Sequence, residues 1–192
     1  MSLKLISAPG VEPITLAEAK AHLRVEHDAE DSLIAMLIAA ARQSAEQRLG
    51  RALIHQTWEL ILDAFPCAEI KLPKPPVASI TSIVYLDANG DEQTLAGTAY
   101  TLDADLLPGW VLPAYGTEWP ATLDSANALR VRFVAGYGAD GSAVPAPIRQ
   151  WMLITLGTFY ANREAVVGGT LAELPTRFVD GLLDPYLIIE AV

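Results

Sequence analysis

The chain is short of several things, and each shortage narrows what it does. It has one cysteine, Cys67, in 192 residues, which excludes an intrachain disulfide and a multi-thiolate metal site and fits a reducing compartment. Charged residues make up 19% of the chain against 52% hydrophobic ones. That is little charge to cover a monomer, so buried subunit contacts and an oligomer are expected. Basic residues number 13 against 23 acidic ones, a net charge of −10, and no run of Lys or Arg is available to track a phosphate backbone. Tight nucleic-acid binding is disfavoured, but an acidic wall past which a polyanion slides is not, because such a wall repels rather than holds. The opening MSLKLISAPG lacks the continuous apolar core of a signal peptide, and the longest mostly apolar run, WMLITLGTFYA at 151–161, is too short to span a bilayer. A soluble, cytoplasmic protein without membrane contact is expected.

What is present is clearest between Thr15 and Arg51. Thr15 followed by Glu18 is a capping-box pattern, and Leu16, Ala19 and Leu23 then share one helical face. The acidic turn VEHDAED supplies Asp28 as a second N-cap, with Glu30 and Asp31 against the positive end of the next helix. The long helix that follows, 29–49, carries Leu33, Ile34, Leu37, Ile38, Ala41, Ala45 and Leu49 as its apolar stripe, ends at Gly50 and spans roughly 30 Å. Its Ala-rich centre widens the apolar surface beyond one stripe and allows close backbone approach, a hint of a second partner.

After Gly50 the period changes from helical to alternating. QTWELIL, EIKLP, SITSIVYLD, AYTLDAD, GWVLPA and ALRVRFVAGYG read as short strands, with Ile80, Ser82, Val84 and Leu86 opposed to Thr81, Ile83 and Tyr85 in the third, Asn89-Gly90 turning a hairpin and 113–127 a loop that closes the sheet. The expectation for 55–138 is one largely antiparallel sheet of six or seven strands, rolled toward a half-barrel. No βαβ pattern occurs, which excludes a doubly wound nucleotide fold. Pro145 and Pro147 sit where a helical first turn tolerates them, and IRQWMLITLGTFYANREA continues as a nearly all-apolar helix, with Ile148, Trp151, Met152, Thr155, Phe159 and Tyr160 on one face and Leu153, Ile154 and Leu156 over much of the rest, expected to pack on helix 29–49. VVGGT breaks the chain, LPTRFVDGLLDPYLI suggests a last short helix with Phe178, Leu182 and Leu183, and YLIIEAV is an apolar, β-prone tail able to add as a strand to a neighbouring subunit. Residues 1–14, with Pro9, Gly10 and Pro13, read as an extended arm.

Signals of chemistry are weak. His22, Glu26, His27 and Asp28 cluster at the first turn without a recognised metal-ligand pattern, and capping acids explain them. GYGADG at 136–141 precedes a helix but lacks the Lys and Ser/Thr of a phosphate loop, so a strand-to-helix connection is expected. Asp103 and Asp105 share a strand face yet nothing marks a cleft, and His55 with Cys67 lacks an orienting third residue. Cys67 is expected to be packed. Trp58, Trp110, Trp119 and Trp151 are scattered across elements and suit cores and interfaces better than base stacking. No catalytic, cofactor or metal residue is assigned.

Four segments in order, TLAEAKAHLRVEHDAEDSLIAMLIAAAR, LGRALIHQTWELILDAFP, IKLPKPPVASITSIVYLDANG and FVAGYGADGSAVPAPIRQWMLITLGTFYANRE, resemble the head-tail connector proteins of tailed bacteriophages and their prophages. The likeness covers most of the chain, and the order of the pieces is more specific than any one of them. It implies an α+β protein: a helical core from the N-terminal hairpin (1–54) and the late helices (145–192), with an antiparallel β-rich insertion (55–144). It also implies a virion structural subunit, assembled in the bacterial host cytoplasm into a ring of about a dozen copies between portal and tail or stopper proteins. DNA would pass through without sequence-specific binding, and the family has no catalytic residues to carry over. Candidate subunit-interface residues are Met36, Ala39, Ala40 and Gln43 on the Ala-rich helix and Tyr186, Leu187 and Ile188 in the tail. The rival readings are a small hydrolase or carbohydrate-binding enzyme using acids of the β insertion, and a tail-terminator or minor tail protein.

Overall fold

The computed structural model describes residues 1–162 and 179–188. The chain divides into two units, Met1–Gly10 with His55–Tyr137 and Val11–Ile54 with Gly138–Val192. The sequence had placed 1–54 together and 55–144 together. Contacts instead group the first ten residues with the strands and residues 138–144 with the helices.

In the helical unit, α1 (Leu16–Leu23) begins at the capping box: the Thr15 hydroxyl accepts from Glu18 N at 3.2 Å and the Glu18 carboxylate accepts from Thr15 N at 2.8 Å. Ala19 is fully buried and Leu16 and Leu23 are half-buried. Helix α2 (Asp31–Leu49) starts later than expected, and Asp28 does not cap it. Both Asp28 and Asp31 accept from the Lys20 ammonium, at 2.6 and 2.7 Å. The charge reaching across from α1 draws these carboxylates away from the free N–H groups of α2, and Glu30 occupies the cap position without a side-chain bond. Gly50 ends α2 at φ 69°, as its lack of a Cβ allows.

The buried stripe of α2 is Ile34, Ile38, Ala41, Ala45 and Leu49, with Arg42 among them. Helix α3 (Ala146–Ala161) carries Pro147 in its first turn and packs on both α1 and α2. It buries Ile148, Trp151, Met152 and Leu156. The expected face had included Thr155, Phe159 and Tyr160, which are half-buried instead. On a helix this apolar, hydrophobicity does not say which side turns inward. VVGGT and much of the expected last helix, Phe178 included, lie outside the described residues. Leu183 is fully buried, and Asp184–Tyr186 is one 3-10 turn.

The β unit holds two antiparallel sheets rather than the single sheet expected. With β1 Ser2–Ser7, β2 Gln56–Leu62, β4 Val77–Leu86, β5 Glu92–Thr94 and β8 Leu129–Ala135, the larger has the order β1-β2-β8-β4-β5. The smaller joins β3 Ile70–Leu72, β7 Gly109–Pro113 and β6 Tyr100–Asp103 in the order β3-β7-β6. The N-terminal arm is thus an edge strand, Leu3 opposite Leu60 and Leu5 opposite Trp58. Register places Trp58, Leu60 and Leu62 beside Phe133, Val131 and Leu129 on one face, and Phe133, Val131 and Leu129 are fully buried there. In β4 the alternation slips at two bulges, between Val77 and Ser79 and between Ile80 and Ser82. Ile83 therefore joins the buried face, where strict alternation had opposed it to Ile80. Only Gly90 of the Asn89-Gly90 pair takes positive φ, at 89°, and the Asp87 carboxylate closes that turn by accepting from Asn89 N and Asp91 N.

Candidate assembly interface

The face of α2 opposite its buried stripe is made of Ser32, Ala35, Met36, Ala39, Ala40, Gln43 and Gln47, none of them charged. Met36 is 61% exposed and Gln43 is exposed, while Ala39 and Ala40 are half-buried. Among the second set, Leu187 is exposed, and Tyr186 and Ile188 are half-buried. The Tyr186 carbonyl accepts from Arg51 Nε, and Ile188 N donates to Leu49 O at 3.2 Å. The segment 186–188 thus sits against the C-terminal end of α2, joining both candidate sets through one helix.

Several polar clusters were invisible in the sequence because their members lie far apart in it. Arg42, with an 8% exposed side chain, donates to Glu12 and Glu46, each at 2.8 Å, and Glu46 also accepts from Leu53 N at 3.0 Å. Burial opposes the Arg42 charge, but the hydrogen bond to Glu12 and the field of Glu46 outweigh it, so its pKa is raised. Arg149 ties the start of α3 to the Pro13 carbonyl at 3.1 Å and to the Glu18 carboxylate. On the open face of the larger sheet, Arg132 donates to Glu59 at 2.7 and 3.2 Å and Arg130 donates to Glu92.

The chemical signals resolve into structural roles. Asp103 Oδ1 accepts from Asp105 N and Leu106 N, so it shapes a turn and does not pair with the Asp105 carboxylate. Cys67 is exposed, not packed; it lies in the loop between β2 and β3, in the rim of an open 440 Å³ cavity with Phe65 and Trp119. Those two rings stack at 4.9 Å, and Trp119 Nε1 donates to Ala68 O at 2.7 Å. His22 packs beside Gly157, and no group of three or more metal-ligating side chains occurs among the described residues. In GYGADG, Asp140 accepts from Ser142 N at 2.9 Å, placing a carboxylate where a phosphate would need donors.

Gly141 has a packing reason: a Cβ there would lie 2.3 Å from the Pro13 carbonyl oxygen. Backbone cannot swing aside as a side chain can, so Gly141→Ala is expected to destabilise the protein by about 1–3 kcal/mol in denaturant unfolding. A change below a few tenths would show that this approach is not tight.

The carboxylates also set an acid limit. Glu18 is held below its usual 4.5 by the Thr15 backbone and hydroxyl hydrogen bonds and then by Arg149. Asp28 is lowered by Lys20, Asp87 by Gln93 and Asn89, and Asp140 by Ser142. A depressed folded-state pKa contributes stability above the unfolded value, and that stability is lost as pH falls through the folded one. The melting midpoint is expected to fall below the usual carboxylate range, near pH 4.5, with a shallower acid slope in Glu18→Gln. An unchanged slope in that variant would refute the assignment.

Comparison with known proteins adds an independent line. Residues 13–90 match the family profile described as phage gp6-like head-tail connector protein. Over its whole length the chain is similar in fold to a chain in the virion of a native gene transfer agent particle, with TM-score 0.83, 26% identity and 98% of that chain covered. It is similar also to a chain in the neck of an empty particle of that kind computed with C6 symmetry, at TM-score 0.82 and 25% identity, again covering 98% of that chain. A third similar chain, from the neck of the native particle computed with C12 symmetry, has TM-score 0.73 and 25% identity. No curated protein matches. The connector profile over residues 13–90 and the whole-chain likeness in fold to chains of phage-like particles point the same way.

Proposed function

We propose that copies of this protein close into a ring in the neck of a phage-like particle, as an adaptor between portal and tail or stopper proteins, with DNA passing through its centre. The observation that carries this reading is the full-length likeness to chains from necks computed with C6 and C12 symmetry. Three features support it. The net charge of −10 suits a channel that repels DNA. The outward face of α2 bears no charge to desolvate on subunit contact. Arg130 and Arg132, which stand on an open sheet face, are each engaged by a glutamate and are not presented to phosphates. The role is structural rather than catalytic, its location is the virion after assembly in the host cytoplasm, and no cofactor is required. No described helix is long and apolar enough to cross a membrane.

The test is to mix the purified protein with the portal protein of the same particle and image the product. A ring capping the portal, together with no retention on duplex DNA at physiological salt, is the expected result. A protein that stays monomeric at high concentration with portal present would remove the main support for this reading.

A further inference from the structure

The larger sheet ends in two outer edges of opposite charge. At one end β1 is six residues long and pairs with β2 alone, so no described strand flanks its far side. Lys4 is its single charge. Glu59, opposite it, is taken by Arg132, and Lys4 Nζ has no ion pair among the described residues. At the other end β5 pairs with β4 alone, and Asp87, Asp91 and Glu92 lie on it or in the turn before it. Asp91 O accepts from Asp87 N and Leu95 N donates to Ile83 O, so the backbone is paired to β4 at 91 and 95. By the alternation of an antiparallel ladder, Glu92 and Thr94 then turn their N–H and C=O groups to the open side.

The two edge charges also stand on one face of the sheet. Register carries Lys4 through Glu59 to Arg132, and Arg130, two residues from Arg132 on β8, donates to Glu92. Arg130 engages Oε2 of Glu92, whose side chain is still 61% exposed.

We infer that β1 of one copy adds to the outer edge of β5 in the neighbouring copy as a parallel strand, with Lys4 beside Glu92. Within one sheet each step from β1 through β2, β8 and β4 to β5 is antiparallel, so β1 and β5 run the same way. Neighbours in a ring of C12 or C6 symmetry differ by a turn of only about 30° or 60°, which keeps that sense and makes the joint parallel. The charges then run Arg130, Glu92, Lys4, Glu59, Arg132 across the boundary, alternating in sign without a break. Lysine on an edge strand commonly forbids pairing. Here it opposes β1 meeting β1 in a two-fold dimer and selects the acidic edge instead. The same register sets Gln93 beside Leu5 and Thr94 beside Ile6, which are 47% and 45% exposed in the single chain. The contact is head-to-tail, as closure into a ring requires. The inference rests on the ring reading above and names one of its joints.

The experiment uses two full-length chains in a Cys67→Ser background, one with Lys4→Cys and the other with Glu92→Cys, mixed, assembled with the portal protein and oxidised. Within one chain the two sites are four strand spacings apart, roughly 19 Å and far beyond disulfide reach, so any bond joins two chains. A bond between the two kinds of chain is the expected product, and a chain carrying both cysteines is expected to give a covalent ladder. A bond confined to pairs of Lys4→Cys chains, or no bond in rings that form normally, overturns the edge pairing while leaving the ring reading intact. Failure of the parent chain to form rings with portal present overturns both. Charge supplies a second readout. Lys4→Glu sets like charges side by side and is expected to weaken assembly at least tenfold, with melting recorded on the same samples. Assembly as tight as the parent's in a variant with an unmoved midpoint overturns the pairing of Lys4 with Glu92, and where the variant melts early the cross-link decides.

Discussion

Arg42→Ala lowers the stability of the helical unit by about 3 kcal/mol or more, roughly 10 °C in melting midpoint for a chain of this size. The size of the effect follows from what remains after the guanidinium is gone. Glu46, 12% exposed at its side chain, and Glu12, 30% exposed, would be left facing each other without their shared cation. Breaking a buried ion pair from one side costs far more than the pair itself contributes, because a desolvated charge is left uncompensated. Glu12→Ala removes only the more exposed partner and is expected to cost about 1 kcal/mol. Glu46→Ala lies between the two in exposure but also strands Leu53 N, at the exit from α2 toward the strands. Chemical denaturation of the three variants measures this ordering. Equal effects for Arg42→Ala and Glu12→Ala would refute the account of Arg42 as the shared cation of two carboxylates.

Ala39→Arg abolishes assembly while leaving the monomer folded. Ala39 is half-buried on the charge-free face of α2, away from Ile38, Ala41 and Ala45. Arginine is a good helix former, so the monomer's stability should change by less than about 1 kcal/mol. A cation with a long side chain placed in a close helix contact must either be desolvated without a partner or hold the surfaces apart. The expected loss of affinity is about 100-fold or greater. Mass measurement across a concentration series, with melting recorded on the same samples, separates the two effects. Intact rings from Ala39→Arg would move the subunit contact off this face. Loss of rings with a collapsed midpoint would mean that Ala39 belongs to the monomer's own core.

How much of this was legible in the sequence depends on the range of the interaction concerned. The capping box at Thr15 and Glu18, the glycine stop at Gly50 and the alternation of Leu129, Val131 and Phe133 are local patterns, and the structure repeats each of them. The Asp28 cap failed because Lys20, eight residues away, competes for the same carboxylate, and propensity takes no account of such a competitor. The inward face of α3 was misjudged because nearly every residue on that helix is apolar. Ile83 was misplaced because a bulge shifts alternation by one residue without leaving a mark in composition.

The sequence by itself determined the elements, their order and the connector likeness, because helical and strand periods are written in residues a few places apart. It determined too that the surface is acidic and poor in charge. Only the tertiary structure decided which edges of which sheet are left open, that the N-terminal arm is one of them, and that Arg42 gathers Glu12 and Glu46. Each of those depends on strands and side chains brought together from distant parts of the chain, and the long loops between them carry no record of which pairing closes them.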